Sequence, residues 1–447
     1  MDLKGKHVLV LGLGSTGVSA VNWLKSKGAD VQAADTRQDP PGASRVGGIR
    51  VSKGPFRLEL LEGIDLVAVS PGLSLDEPLI REAKGRGIPV LGDVELFARE
   101  IRQWRPKVIA ITGSNGKSTV TSMVGEMCRK GGLDTVVAGN IGLPVLDTLG
   151  SRHAVYVLEL SSFQLETLES LDADSATVLN LSEDHLDRYA SMEEYGRAKE
   201  AIFRGSGLQV LNRDDPATLS MALAGRPRLT FGASAPASDT EYGLVKEGNE
   251  MWLARGGRKL MKASDLPVAG LHNAENALAS LALCSFLDIP EEIQIRALMD
   301  FKGLPHRVER IGELEGVTFY DDSKGTNVGA TVAALKGLAG KVVLILGGDG
   351  KGQDFSPLKE PVENHARAVV LIGRDAPIIE RALGSKIPVF HAKDMDEAVA
   401  KAFGAAQGGD SVLLSPACAS FDMFRNYVHR AEAFADAFGK IGSCRPS

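Results

Sequence analysis

The sequence predicts an α/β protein divided into three domains, and three observations carry that expectation. Strand-sized apolar runs alternate with helix-sized stretches along nearly all of the 447 residues, the pattern of parallel sheets flanked by helices. A chain of this length exceeds what one hydrophobic core supports, so two to four domains are expected. Two glycine-rich turns, Gly12-Leu13-Gly14-Ser15-Thr16-Gly17 and Gly113-Ser114-Asn115-Gly116-Lys117-Ser118, each stand where an apolar strand passes into a helix.

Taken in order, the first block opens with a strand at 7–11, the first glycine-rich turn, a helix to residue 27 and a strand at 31–34 that ends on Asp35. A further strand at 65–70 runs into the turn Pro71-Gly72, and the block closes near 92–96, ahead of the polar stretch 99–107. The second block begins after helix-stopping Pro106 with a strand at 108–112 and a helix over 117–130, stopped by Gly131-Gly132. Strands at 156–160 and 176–180 follow, and then a more irregular part, rich in glycine and short β-like runs, up to about Gly303. The third block holds strands at 318–320, 341–348, 368–373 and 411–415.

Composition excludes several classes of function. The net charge is −6 with both signs interspersed and no long basic run, so nucleic acid is not an expected partner. The longest apolar runs are strand-sized and the N-terminus moves straight into a strand, so neither a signal peptide nor a membrane-spanning helix is expected, and the chain is read as cytoplasmic. Cys128, Cys284, Cys418 and Cys444 are scattered without a C-x-x-C pair, which suits reduced thiols better than disulfides or zinc. For Cys418 the expected role is that of a small buried apolar group.

The second glycine-rich turn is a phosphate cradle. Gly113 and Gly116 let the backbone approach phosphate oxygens, Lys117 would neutralise the outer phosphates, and the Ser118 hydroxyl is placed for Mg2+, with Ser114, Asn115 and Thr119 completing the loop. The spacing G-x-x-G-K-S is two residues tighter than the common form, and the plain alternative is an ordinary glycine-rich turn. Glu159 closes a strand at the carboxyl edge of the sheet, where ligands bind, and is a candidate Mg2+ ligand. His185 lies in a strand-end loop of the same block, where a structural role is the alternative; for Lys199 the bland alternative is a solvated helical lysine. Two nucleotide-type folds in one chain admit a dehydrogenase-like protein with an appended ATPase, or an ATP-driven ligase whose other substrate carries a nucleoside diphosphate.

The residues beyond these decide. Gly139-Asn140-Ile141-Gly142, Glu159-Leu160-Ser161-Ser162-Phe163-Gln164, the run from Asn180 to Tyr189, His272-Asn273-Ala274-Glu275-Asn276-Ala277, Gly303-Leu304-Pro305-His306-Arg307, Asp321-Asp322-Ser323-Lys324-Gly325-Thr326-Asn327, Gly347-Gly348-Asp349-Gly350-Lys351 and Ser415-Pro416-Ala417-Cys418-Ala419-Ser420-Phe421-Asp422 join the two glycine-rich turns. Together they resemble the Mur ligase family, and within it the members that add D-glutamate to UDP-N-acetylmuramoyl-L-alanine. That resemblance implies a Rossmann-like UDP-binding domain at 1–96, a central P-loop ATPase-like domain at 97–302 and a Rossmann-like D-glutamate-binding domain at 303–447, with a hinge near 301–304. It implies ATP, two Mg2+ ions, a carbamylated Lys199, small-molecule substrates only, and a monomer.

The resemblance also distributes roles. Ser15 and Thr16 would face the pyrophosphate, with Asp35, Thr36, Arg37 and Gly72 around the UDP end, while Asn140 and Gln164 would position the muramoyl-alanine arm. Ser118 and Glu159 would hold one Mg2+, His185 and the Lys199 carbamate the other; Asn276, Arg307 and Asp322 would contact the nucleotide. Thr326, Lys351, Ser420, the Phe421 backbone and Tyr427, which stands where close relatives tend to carry Phe, would surround D-glutamate. The plain alternatives are a helix cap for Asn276, a turn cap for Asp322 and a helix N-cap for Ser420. A folylpolyglutamate-type or other Mur-type ligase, and a non-catalytic nucleotide-binding protein, are the competing functions.

Overall fold

The computed structural model describes residues 1–443 except 186, 187 and 269, so Cys444 lies outside the described residues. The first sheet comprises β1 (His7–Leu11), β2 (Asp30–Asp35), β3 (Arg50–Lys53), β4 (Leu66–Val69) and β5 (Val90–Gly92), all parallel in the order β3-β2-β1-β4-β5. The order reverses between β1 and β4, so the turns leaving those two strands flank the crevice where such sheets take ligands. Gly12 adopts φ 86°, and a Cβ on Gly17 would stand 1.8 Å from the Gly12 carbonyl oxygen. Only glycine there lets the helix Ser15–Ser26 pack against its strand.

The central sheet runs through β6 (Lys107–Thr112), β7 (Thr135–Gly139), β8 (Val155–Glu159), β9 (Ser175–Val178), β10 (Leu208–Asn212), β11 (Arg228–Phe231), β12 (Glu241–Glu247), β13 (Glu250–Arg255) and β14 (Arg258–Lys262). Its order is β14-β13-β12-β11-β10-β9-β6-β8-β7; β13 runs antiparallel to both of its neighbours, β12 and β14, and the other pairs are parallel. The helix Lys117–Lys130 keeps the bounds that its flanking glycines predict. The stretch expected to be irregular instead contains β10 to β14 and the helices Leu271–Cys284 and Glu291–Met299. From Asn273 to Cys284 only Glu275 escapes burial, so that helix is apolar nearly all round and shows no one-sided period in the sequence.

The third sheet joins β15 (Glu309–Leu314), β16 (Val317–Asp321), β17 (Val342–Gly347), β18 (Ala366–Ile372), β19 (Val389–His391) and β20 (Ser411–Leu414) in the order β15-β16-β20-β17-β18-β19, with β15 alone antiparallel. Between the first two sheets, the helix Asp93–Ile101 runs unbroken across residue 96, where the sequence suggested a boundary. Its Phe97 packs edge-on to Tyr156 of β8 at 5.1 Å, and the two sheets share one apolar core around it. Among the described residues no helix is long and apolar enough to cross a membrane, and Cys128, Cys284 and Cys418 are buried free thiols.

Candidate functional site

The phosphate loop leaves β6 with Gly113 at φ 151° and Gly116 at φ 83°. A Cβ on Gly116 would lie 2.5 Å from the Asn276 side-chain oxygen, so glycine is what lets the helix Leu271–Cys284 abut the loop. No side chain caps the helix Lys117–Lys130, which leaves its first N–H groups directed at the loop. Lys117 Nζ donates to the Gly113 and Ser114 carbonyls at 2.7 and 2.8 Å, and burial lowers its pKa. From the third domain, Arg307 donates to Ser118 Oγ at 2.8 Å and Asn327 Nδ2 to Asn115 Oδ1 at 3.1 Å.

Three further central-domain groups meet this loop. Glu159 ends β8; its Oε1 accepts from Asn140 Nδ2 at 2.8 Å, while its buried Oε2 has no hydrogen-bond partner among the described residues. An unpaired buried carboxylate oxygen is costly, and with the Ser118 hydroxyl lining the same cleft the donor set suits a hard cation such as Mg2+. Lys199, far from being solvated, is 1 % exposed. It donates to the Gly113 carbonyl at 2.9 Å, and its pKa is driven well down by burial and then by repulsion from Lys117. Its amine is therefore biased toward the neutral form that a carbamate requires. His185 is held at φ 56° with Nε2 3.6 Å from Asp184 Oδ2, and burial lowers its pKa toward the neutral, metal-binding imidazole.

A cleft of about 690 Å3 collects Lys117, Ser118, Asn140, Glu159, His185 and Lys199 from the central domain with Arg307, Lys324, Thr326, Lys351 and Tyr427 from the third. A second cavity of about 290 Å3 shares Asn115, Gly116, Arg307 and Lys324 with the cleft and is lined further by Thr119, His272, Asn276 and Asp322. Lys324 lines both and was not singled out by its sequence motif. Its Nζ stands 3.9 Å from the Tyr427 ring centroid, and burial lowers its pKa to about 8.

Some expected residues serve differently. Asp35 is buried; its Oδ2 accepts from the Leu13 backbone at 2.7 Å and its Oδ1 from Arg37 Nε at 2.8 Å. The Arg37 contact holds its pKa at about 2. Its carboxylate thus fixes the glycine-rich turn, and exposed Ser15, Thr36, Arg37 and Gly72, with half-buried Thr16, are the groups left at that crevice. Gln164 is buried, its Oε1 accepting from the Ser161 backbone and its Nε2 bonding Asp93, so Ser161, Ser162 and Phe163 reach the cleft in its place. Ser420 and Phe421 do not line the cleft. Ser420 caps no helix either: turns follow it, and the next helix, Tyr427–Ser443, takes Asn426 as its cap through the His429 N–H at 2.9 Å. The turn after Tyr320 is capped by Asp321, not Asp322, and Asn276 sits inside its helix. His306, Glu309 and Asp321 stand within 4.8 Å of one another, but His306 Nδ1 already bonds Asp321 at 2.7 Å.

Asp322 accepts from Ser415 Oγ at 2.7 Å, yet burial raises its pKa from 3.8 to about 7. Between about pH 4 and pH 7 the folded chain retains a proton that the unfolded chain has released. Stability therefore falls as pH rises through that window and levels off above it. Asp322→Asn should flatten that fall and be more stable than the parent at pH 8 by up to about 4 kcal/mol. Melting curves from pH 4 to pH 8 test it, and parallel profiles for the two proteins would contradict it.

Family models match in chain order: Mur ligase MurD-like N-terminal domain over residues 6–92, Mur ligase middle domain over 111–284 and Mur ligase glutamate ligase domain over 306–418. The chain belongs to the Mur ligase family. This Mur ligase is 59% identical over 442 residues to a Methylobacillus flagellatus protein named UDP-N-acetylmuramoylalanine--D-glutamate ligase, covering 98% of this chain and 97% of that one. The protein of the same name from Nitrosomonas europaea is 54% identical, with 98% and 97% covered. Among solved structures, UDP-N-acetylmuramate-alanine ligase MurC from Thermotoga maritima superposes with a TM-score of 0.63 at 20% identity, covering 97% of this chain and 99% of that one. MurF from Acinetobacter baumannii gives 0.64 at 19%, covering 98% and 91%. These two share the three-domain fold of this Mur ligase.

Proposed function

We propose that this Mur ligase is a UDP-N-acetylmuramoylalanine--D-glutamate ligase, which joins D-glutamate to UDP-N-acetylmuramoyl-L-alanine with conversion of ATP to ADP and phosphate in peptidoglycan precursor synthesis. The observation that carries the reading is the cleft in which phosphate-loop, carboxylate, imidazole and buried-lysine groups of one domain face a row of cations from another. Chain-long likeness to proteins named for this reaction supports it. A carboxylate is a poor electrophile, so the γ-phosphoryl group moves first to the alanyl carboxylate; the D-glutamate amine then attacks the acyl phosphate and phosphate leaves.

Lys117 and the loop N–H groups hold the β- and γ-phosphates, and Arg307 stabilises the charge on the transferring group. Asn276 and Asp322 hold the nucleoside side, and Asp322 accepts from the ribose in its ionised form. Ser118 and Glu159 would hold one Mg2+, His185 and a carbamylated Lys199 the second; when bound, these ions neutralise phosphate charge and draw nucleotide and acyl group together. Ser15, Thr16, Thr36, Arg37 and Gly72 bind the UDP part, and Asn140 orients the muramoyl-alanine arm. The domains fall at 1–96, 97–302 and 303–447, with the helix Asp93–Ile101 spanning the first junction. The enzyme acts in the cytoplasm as a monomer.

Phosphate release with ATP, UDP-N-acetylmuramoyl-L-alanine and each glutamate enantiomer tests the reading; release is expected with D-glutamate and not with L-glutamate. Equal use of both would sink the substrate assignment. Thr326, Lys324 and Lys351 supply donors for the two acceptor carboxylates, with Tyr427 as an aromatic wall. Lys351→Ala should weaken a charge-assisted contact by about 1.5–3 kcal/mol, seen as a raised KM for D-glutamate with the KM for ATP little changed. A rise confined to ATP would remove Lys351 from the acceptor pocket.

A further inference from the structure

Among the described residues, the Arg188 guanidinium reaches from the His185 loop to the first domain. Arg188 donates from a single nitrogen to the Leu73 carbonyl at 2.9 Å and to Glu166 Oε2 at 2.7 Å, and both of the ion-paired side chains are largely buried. Leu73 belongs to the turn that leaves β4 at Ser70-Pro71-Gly72, its N–H bonded to the Ser70 carbonyl at 3.1 Å. Glu166 is held from its other side by Tyr189, whose hydroxyl donates to Oε1 at 2.7 Å. The backbone N–H groups of Arg188 and Tyr189 both bond the His185 carbonyl, at 2.9 and 3.1 Å. Phe163 fills the space between: the Arg188 guanidinium lies 4.8 Å over its ring, and its edge meets the His185 ring at 4.7 Å.

His185 sits at φ 56°, a conformation that persists in a non-glycine residue only where its surroundings over-determine it. Among the described residues those surroundings include Asp184 and the Tyr195 ring, and on the side of the first domain the Arg188–Glu166–Tyr189 cluster and Phe163. We infer that Arg188 is a positioning residue, which ties the β4 turn of the first domain to the orientation of the His185 imidazole, so that the loop facing the UDP-linked substrate and the metal-binding histidine are set together. The inference rests on the proposed roles of Gly72 and His185. Arg188 touches neither reacting atom; it acts through the His185 backbone and the Phe163 ring. Because coupling between two sites is reciprocal, loss of the tie weakens metal binding at His185 and substrate binding at the β4 turn alike.

The test compares the full chain with Arg188→Ala and with Glu166→Gln, which keeps the shape of the acid and removes its charge. Mn2+ binding is followed by electron paramagnetic resonance with UDP-N-acetylmuramoyl-L-alanine and a non-hydrolysable ATP analogue, alongside KM values and melting temperature. Arg188→Ala should weaken one class of Mn2+ site by about 10- to 100-fold and spare the other. It should raise the KM for the UDP-linked substrate and leave that for D-glutamate unchanged; Glu166→Gln should shift both in the same direction by less. Unchanged Mn2+ affinity in both variants, or an equal weakening of both classes with a collapse of melting temperature, would overturn the inference. A parent enzyme that released no phosphate with D-glutamate would overturn the proposed activity instead, because the Mn2+ measurement needs no turnover.

Discussion

Replacing Lys199 by alanine should lower turnover by about 10^2- to 10^3-fold or more, the range for removing a group that stabilises charge in a water-poor site. An ammonium would repel Mg2+, whereas a carbamate presents two anionic oxygens to it. Forming the carbamate requires a neutral amine and CO2, and burial against Gly113 and the Tyr195 ring, together with Lys117 nearby, drives the Lys199 amine toward that form. Added short-chain carboxylic acids should restore part of the lost activity by supplying the missing oxygens. Labelled CO2 should give a carbamate carbon resonance in the parent and none in the variant. Near-parental activity of Lys199→Ala would remove this residue from the mechanism.

Arg307→Ala should lower kcat by about 10^3-fold, the lower range for an arginine that meets a transferring phosphoryl group from outside the phosphate loop. The guanidinium already reaches Ser118 across the domain junction, and the segment that leads to it turns at Gly303, φ 87°. Productive geometry therefore needs the third domain seated on the central one, with the turn at Gly303 absorbing the backbone change. Solution scattering should show compaction on addition of nucleotide and UDP-linked substrate, smaller in the variant. Arg307→Lys should recover only part of kcat, because a point charge lacks the planar fork. An unchanged radius of gyration under saturating ligands, or a kcat that survives the alanine change, would contradict the role.

Legibility in the sequence followed local chemistry. The helix Lys117–Lys130 could be bounded to the residue because glycines and a lysine mark its start and paired glycines its end. The buried parallel strands, such as β1, β4, β6, β8, β17 and β20, were legible as continuous apolar runs, since both faces are covered, whereas the half-exposed parallel strands β3, β7 and β19 were not. The hairpin from β12 to β14 and the helix Leu271–Cys284 were not: the first has weak alternation broken by a register shift between Leu253 and Ala254, and the second is buried all round. In the site, motifs marked the right segments but not which side chain each segment directs inward. Lys324 faces the cleft from a run in which every residue is polar or glycine, and Asp35, expected at the UDP end, is taken up by Leu13 and Arg37. Gln164 was misplaced because capping its own short helix turns it away from the cleft.

The nine-stranded sheet ends at β14, which pairs with β13 on one side only. An open strand edge of that kind can recruit the matching edge of another copy. Here it carries Arg258, Lys259 and Lys262, with Arg258 paired to Glu291 and Lys262 to Glu250, and the neighbouring bulge twists it away from flatness. Lys259 is paired to Glu247, and two copies approaching edge to edge would have to displace these three ion pairs before any backbone bond formed. The long sheet on which the phosphate loop depends thus ends in a strand fenced by ion pairs, which discourages edge-to-edge growth.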